Sequence, residues 1–170
     1  MLPSTTSADN PALTGRRLDE WVTTSVHEAG HVVGGVHLGI PIVEAWIRYR
    51  SGWFGGWQVL GRTSTGNALV NDNDSVPFTI GGLEAEAIHL VRRDGVSLAR
   101  ARRQVAGKRV HQCGDLADLD LYLTEADVTH AQAEAWTNDL LCAAWGSVEN
   151  IAAALREHHR LSGRDLARLL

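Results

Sequence analysis

Residues 27 to 31 read His-Glu-Ala-Gly-His, two histidines four positions apart with a glutamate directly after the first. On an α-helix such histidines lie about 40° apart and one turn from each other. Both imidazoles can therefore reach a single ion, with nitrogen about 2.0–2.1 Å from a zinc. Glu28 falls on the flank of that face, close enough to act on a water at the metal without ligating it. This is the HExxH pattern, in which the glutamate is the general base of a zinc hydrolase. In random order, this composition would yield roughly 0.02 such matches per chain, so chance is a weak competitor. A metal site is the better reading than a helix with two solvated histidines.

The histidines need a helix to hold them. Asp19 is a suitable N-cap, and Gly39 and Pro41 are stop signals, so a helix is expected from about Asp19 to Leu38. Val22, Val26, Ala29, Val33 and Val36 fall in a stripe roughly 80° wide, read as the core side, which leaves His27 and His31 on the opposite side. Gly30 and Gly34 continue the histidine face. Each is unfavourable by about 1 kcal/mol relative to alanine, which suggests that another backbone or a substrate comes close there. His37 lies elsewhere on the helix and reads as a surface residue; His158 and His159 read as solvated.

After this helix, VEAWIRYR alternates like a strand, WFGGWQVLGRT like a turn and a second strand, and GNALVNDNDS like a loop. Helices are expected at roughly 77–93, 97–110, 115–122, 125–145, 147–158 and 162–170. The class is α+β, mainly α-helical: a zincin-like HExxH helix, a small β-sheet, then a helical bundle. Residues 1–17 read as a flexible N-terminal tail and 18–170 as a single domain.

A catalytic zinc takes three protein ligands and keeps one position open. In HQCGDLADLDLYL, Asp115, Asp118 and Tyr122 share a helical face. Asp115 could reach a metal or could simply cap its helix, with Asp118 in reserve; His111 and Cys113 are weaker candidates. Glu86, in GGLEAEAIHL, could be the third ligand or could hold the far nitrogen of a histidine. Position alone does not choose between these.

The segments VTTSVHEAGHVVGG, TIGGLEAEAIHL, CGDLADL and IAAALREHHRLSGRDL, with a strand pair between the first two, occur in an order that resembles the peptidase domain of the FtsH-type zinc metalloproteases. The resemblance covers about residues 20 to 170. It implies His27 and His31 as zinc ligands, Glu28 as base, Asp115 as third ligand and a supporting role for Glu86. The chain also departs from that family. Leu83 stands where the family has arginine, Gly114 where it has asparagine, and the segment after GGLEAE is longer. No AAA+ ATPase module or membrane segment is present, and Gly107-Lys108 lacks the rest of a phosphate-binding loop, so ATP-driven unfolding is not expected within this polypeptide.

The expected activity is an ATP-independent zinc endopeptidase acting on unfolded or flexible polypeptides. A dedicated maturation peptidase for one partner peptide is an alternative. So is a non-catalytic zinc-binding regulatory module, although a structural zinc needs no base like Glu28. Substrate is expected along the strand near Gly55 to Leu60, at Gly55, Gly56 and Trp57, with Trp53 and Phe54 beside it.

Composition narrows the partners. A net charge of −4 argues against nucleic acid and anionic lipid. The basic stretch VRRDGVSLARARRQVAGKRV reads better as a solvated helix face than as a nucleic-acid surface. Two cysteines make no disulfide framework, and no apolar stretch is long enough to span a membrane. A cytoplasmic, soluble protein is expected; a homo-oligomer is compatible with the sequence.

Overall fold

A computed structural model describes residues 15–51, 57–66, 72–109 and 114–170. The chain is mainly helical with one small antiparallel sheet. Helix α1, Arg16–His37, carries the HEAGH stretch and is covered on every side from Thr24 to Gly35. The valine stripe is therefore not its only buried face, and Val36 at its end is 39% exposed. Helix α2, Asp72–Asp94, lies against the histidine side. Gly30 permits the contact: a Cβ there would strike the Gly81 carbonyl oxygen and come within 2.5 Å of the Ala85 Cβ. At Gly34, by contrast, a Cβ would meet nothing.

Strand β1, Ile42–Ser51, pairs antiparallel with β2, Trp57–Thr65, and on its other side with the three-residue β3, Arg160–Ser162. The order is β2-β1-β3. Ala45, Ile47 and Leu161 turn inward and join Val26, Val33, Ile88, Leu141, Val148 and Leu155 in the main core. Helices α3 (Leu98–Arg109), α4 (Gly114–Glu125), α5 (His130–Ala143), α6 (Trp145–His158) and α7 (Gly163–Leu166) complete the architecture. Smaller apolar clusters join α2 to α4 and α5 around Val76, Ile80 and Leu119, and α2 to α3 around Leu90, Ala101 and Val105. No described helix is long and apolar enough to cross a membrane.

Several boundaries differ from the sequence reading. Asp19 is in the first turn of α1 and not its cap. Helix α2 begins at Asp72, inside the expected loop, and contains Pro77. Asp and Asn are favourable in a first helical turn, and a proline this close to the start forfeits only one backbone hydrogen bond. Thr129 and Gln132 form a capping box that starts α5 at His130, later than expected. Residues 160–162 add a short strand to the free edge of β1, and Ser162, expected as the first residue of the last helix, caps it instead, with α7 running only over Gly163–Leu166. The basic stretch is not wholly solvated either. Arg102 reaches inward to Glu84, which is 2% exposed, with Nε and Nη2 donating over 2.9 and 2.8 Å, and Asn138 Nδ2 donates to the same carboxylate over 2.7 Å.

Tyr49 of β1 stacks on Trp21 of α1 at 4.3 Å between ring centroids, and its buried hydroxyl has no hydrogen-bond partner among the described residues. Burial, reinforced by the nearby Glu20 carboxylate, pushes the phenol up to about 12. Its folded value thus lies above the ordinary tyrosine value of about 10. The stabilisation tied to the neutral phenol is complete below about pH 10 and is lost as pH rises from about 10 to about 12. Tyr49→Phe is expected to remove that alkaline loss while leaving neutral-pH stability unchanged or raised by up to about 1 kcal/mol. Urea midpoints measured across that range check it.

Candidate metal centre

Three elements far apart in sequence meet at one point. Helix α1 presents His27 and His31, α2 supplies their supports, and the first turn of α4 brings in Asp115. His27 Nε2, His31 Nε2 and a carboxylate oxygen of Asp115 form a group whose ligand atoms all lie within 4.8 Å of one another. His27 Nε2 is 2.8 Å from Asp115 Oδ2 and 3.0 Å from His31 Nε2, and His31 Nε2 is 3.3 Å from the same oxygen. Both histidines are almost fully buried.

The far nitrogens assign the tautomers. His31 Nδ1 lies 2.9 Å from the Phe78 carbonyl oxygen, which can only accept, so Nδ1 carries the proton. His27 Nδ1 donates to Glu86 Oε1 over 2.7 Å. Each Nε2 is left with its lone pair aimed at the common point. Two lone pairs and a carboxylate oxygen at hydrogen-bonding separation, with no donor among them, repel one another unless a cation or a shared proton lies between them. Burial pushes the Asp115 carboxyl up, but where a shared proton lies between the groups, hydrogen bonds from the His27 and His31 rings outweigh it and hold Asp115 well below the usual carboxylate range. An anion with two imidazoles suits a divalent ion.

Gly82 makes the room. A Cβ on it would lie 2.5 Å from His31 Nε2 and 2.6 Å from His27 Nε2, the atoms that face the common point. The spacing of GGLEAE had drawn attention only to its glutamate.

Glu28 is buried beside this cluster and turned toward β2. Thr63 Oγ1 donates to Glu28 Oε2 over 2.8 Å, and a Cβ on Gly61 would lie 2.7 Å from Glu28 Cγ. Thr63 and Gly61 are thus the β2 residues at the glutamate. The expected stretch from Gly55 to Leu60 runs just before them; Gly55 and Gly56, like Trp53 and Phe54, lie outside the described residues, as does the side chain of Trp57.

The remaining candidates separate. Glu86, 1% exposed, touches His27 Nδ1 and so backs a histidine. Asp118 is exposed and stands apart from the cluster. His111 and Cys113 lie outside the described residues. His37 is a surface residue whose Nδ1 bonds to the Val33 carbonyl of its own helix. His159 has a left-handed backbone (φ 64°) at the end of α6 and sets its ring edge-on to Trp21. The sequence reading missed Phe78, Gly61, Thr63 and Gly82. Only Gly82, in a Gly-Gly pair inside a helix, left a local signal.

Among known proteins, no family model and no curated sequence matches the chain. The resemblance to FtsH-type peptidases therefore rests on the motifs and their order.

Proposed function

We propose that the protein is a zinc-dependent endopeptidase of the HExxH type, similar to the FtsH peptidase domain and acting on unfolded or flexible polypeptides. The observation that carries this reading is the convergence of two Nε2 lone pairs and one carboxylate oxygen beside a buried glutamate. Such a two-nitrogen, one-oxygen set matches an open catalytic zinc better than a structural one, which closes with four protein ligands. When bound, the ion supplies Lewis acidity and lowers the pKa of water toward 7.

The chain's own residues account for the rest. His27, His31 and Asp115 hold the ion, while Glu86 and Phe78 orient the rings. Thr63 fixes the rotamer of Glu28 through Oε2, which leaves Oε1 to accept a proton from water and pass it to the leaving amine. Strand β2 pairs with β1 on one edge and has no strand on the other among the described residues. An extended peptide added to that edge, antiparallel or parallel, runs past Gly61 and Thr63 and hence past the base.

Zinc per chain and peptide cleavage, measured on the parent, Asp115→Ala and Glu86→Ala, test the assignment. The parent is expected to hold one zinc. Asp115→Ala should hold almost none, and Glu86→Ala should bind about 10- to 100-fold more weakly. Loss of metal in Glu86→Ala alone would exchange the two roles, and a parent that takes up no zinc would end the proposal.

A further inference from the structure

The outer face of the sheet plays no part in the metal centre. Since Ala45, Ile47 and Leu161 point into the core, the alternate positions Glu44, Trp46, Arg48 and Arg50 of β1, Arg62 of β2 and Arg160 of β3 face away from it. Trp46 stands in the middle, directly opposite Arg62 on one neighbouring strand and Arg160 on the other. The Arg48 guanidinium lies over its ring, 4.7 Å from the centroid. All four arginines are exposed. The one acid on the face, Glu44, is bonded to Arg160, whose Nε donates over 2.9 Å. Arg48, Arg50 and Arg62 have no ion-pair partner among the described residues. Four arginines thus gather against one glutamate, on a chain whose net charge is −4.

We propose that this face binds single-stranded nucleic acid, with Arg48, Arg50 and Arg62 taking backbone phosphates and the Trp46–Arg48 stack supporting a base. A net charge averaged over the chain argues against such a partner, but binding responds to the local field. Along β1 the positions of Trp46, Arg48 and Arg50 repeat every 7 Å or so, giving an extended strand one aromatic platform and a row of planar cations. Guanidinium planes and aromatic rings both support unstacked bases. An acidic peptide fits less well, because the negative face of an indole repels carboxylates. A duplex fits less well too, since its bases are paired and stacked and leave no free face for the Trp46–Arg48 stack to support.

Fluorescence anisotropy of a labelled oligothymidylate, titrated with the full chain, tests this. Binding is expected at low salt, with the logarithm of affinity falling against that of salt at a slope of about −2 for three phosphate contacts. The Arg48→Glu/Arg62→Glu double variant is expected to bind at least about tenfold more weakly. Trp46→Ala should also lose about tenfold, and Trp46→Phe should restore most of it. Circular dichroism checks that each variant is folded; should Trp46→Ala not fold, the arginine variants and Trp46→Phe still decide. No binding at low salt would overturn the proposal. So would equal affinity for polyglutamate, for duplex DNA or for phosphatidylserine vesicles. An affinity indifferent to Trp46→Ala would do the same. None of these outcomes depends on zinc or on cleavage.

Discussion

Glu28→Gln is expected to keep its zinc and lose cleavage. The substitution preserves the size of the side chain and its contact with Thr63 Oγ1 but removes the group that accepts a proton. Because Glu28 is not in the converging ligand group, zinc should stay near one per chain. A general base contributes about 10²- to 10⁴-fold, so cleavage should fall by that factor, in kcat more than in KM. Metal analysis and peptide kinetics on the same preparation check both halves. Cleavage at the parental rate would remove Glu28 from the chemistry. Loss of zinc along with cleavage would make it a ligand instead.

Gly82→Ala should abolish metal binding with no change to any ligand. Its Cβ would stand 2.5 and 2.6 Å from the two Nε2 atoms, in the space that an ion held by them would occupy. Both rings are held from behind, His27 by Glu86 and His31 by the Phe78 carbonyl, so neither can swing aside without giving up a buried hydrogen bond. Alanine is otherwise favoured over glycine inside a helix by about 1 kcal/mol. Overpacking costs the metal-free chain about 1–3 kcal/mol, partly offset by that preference, so a folded, less stable chain that takes up no zinc is expected. Isothermal titration with zinc, set beside a thermal melt of the metal-free chain, separates the two effects. Undiminished zinc binding would show that the ion does not lie between these nitrogens.

How far a residue could be read from sequence followed the range of the interaction that defines it. The HEAGH pair is a one-turn relation on a single helix, so spacing alone identified it. Strands β1 and β2 showed because their alternation separates a core face from a solvent face. Boundaries were harder. The start of α2 was hidden by loop-like residues and by Pro77, the sixth residue of the helix, and β3 has only three residues, which pair with a strand formed far earlier in the chain.

The rival third ligands show the same limit more sharply. Asp115, Asp118 and Glu86 are chemically equivalent carboxylates in the sequence, and only the way α1, α2 and α4 pack gives them different work. Asp115 meets both Nε2 atoms, Glu86 sits behind His27, and Asp118 faces solvent. Thr63 and Phe78 had no signal at all, since a threonine in a strand and a backbone carbonyl gain meaning only from the group they touch. That two imidazoles and a carboxylate share one helical surface was legible from spacing, because helical geometry is local. Which distant oxygen completes the set, which contacts hold the rings, and that Arg62 and Arg160 flank Trp46 from the neighbouring strands came only from tertiary structure, because these are relations between elements that no single segment encodes.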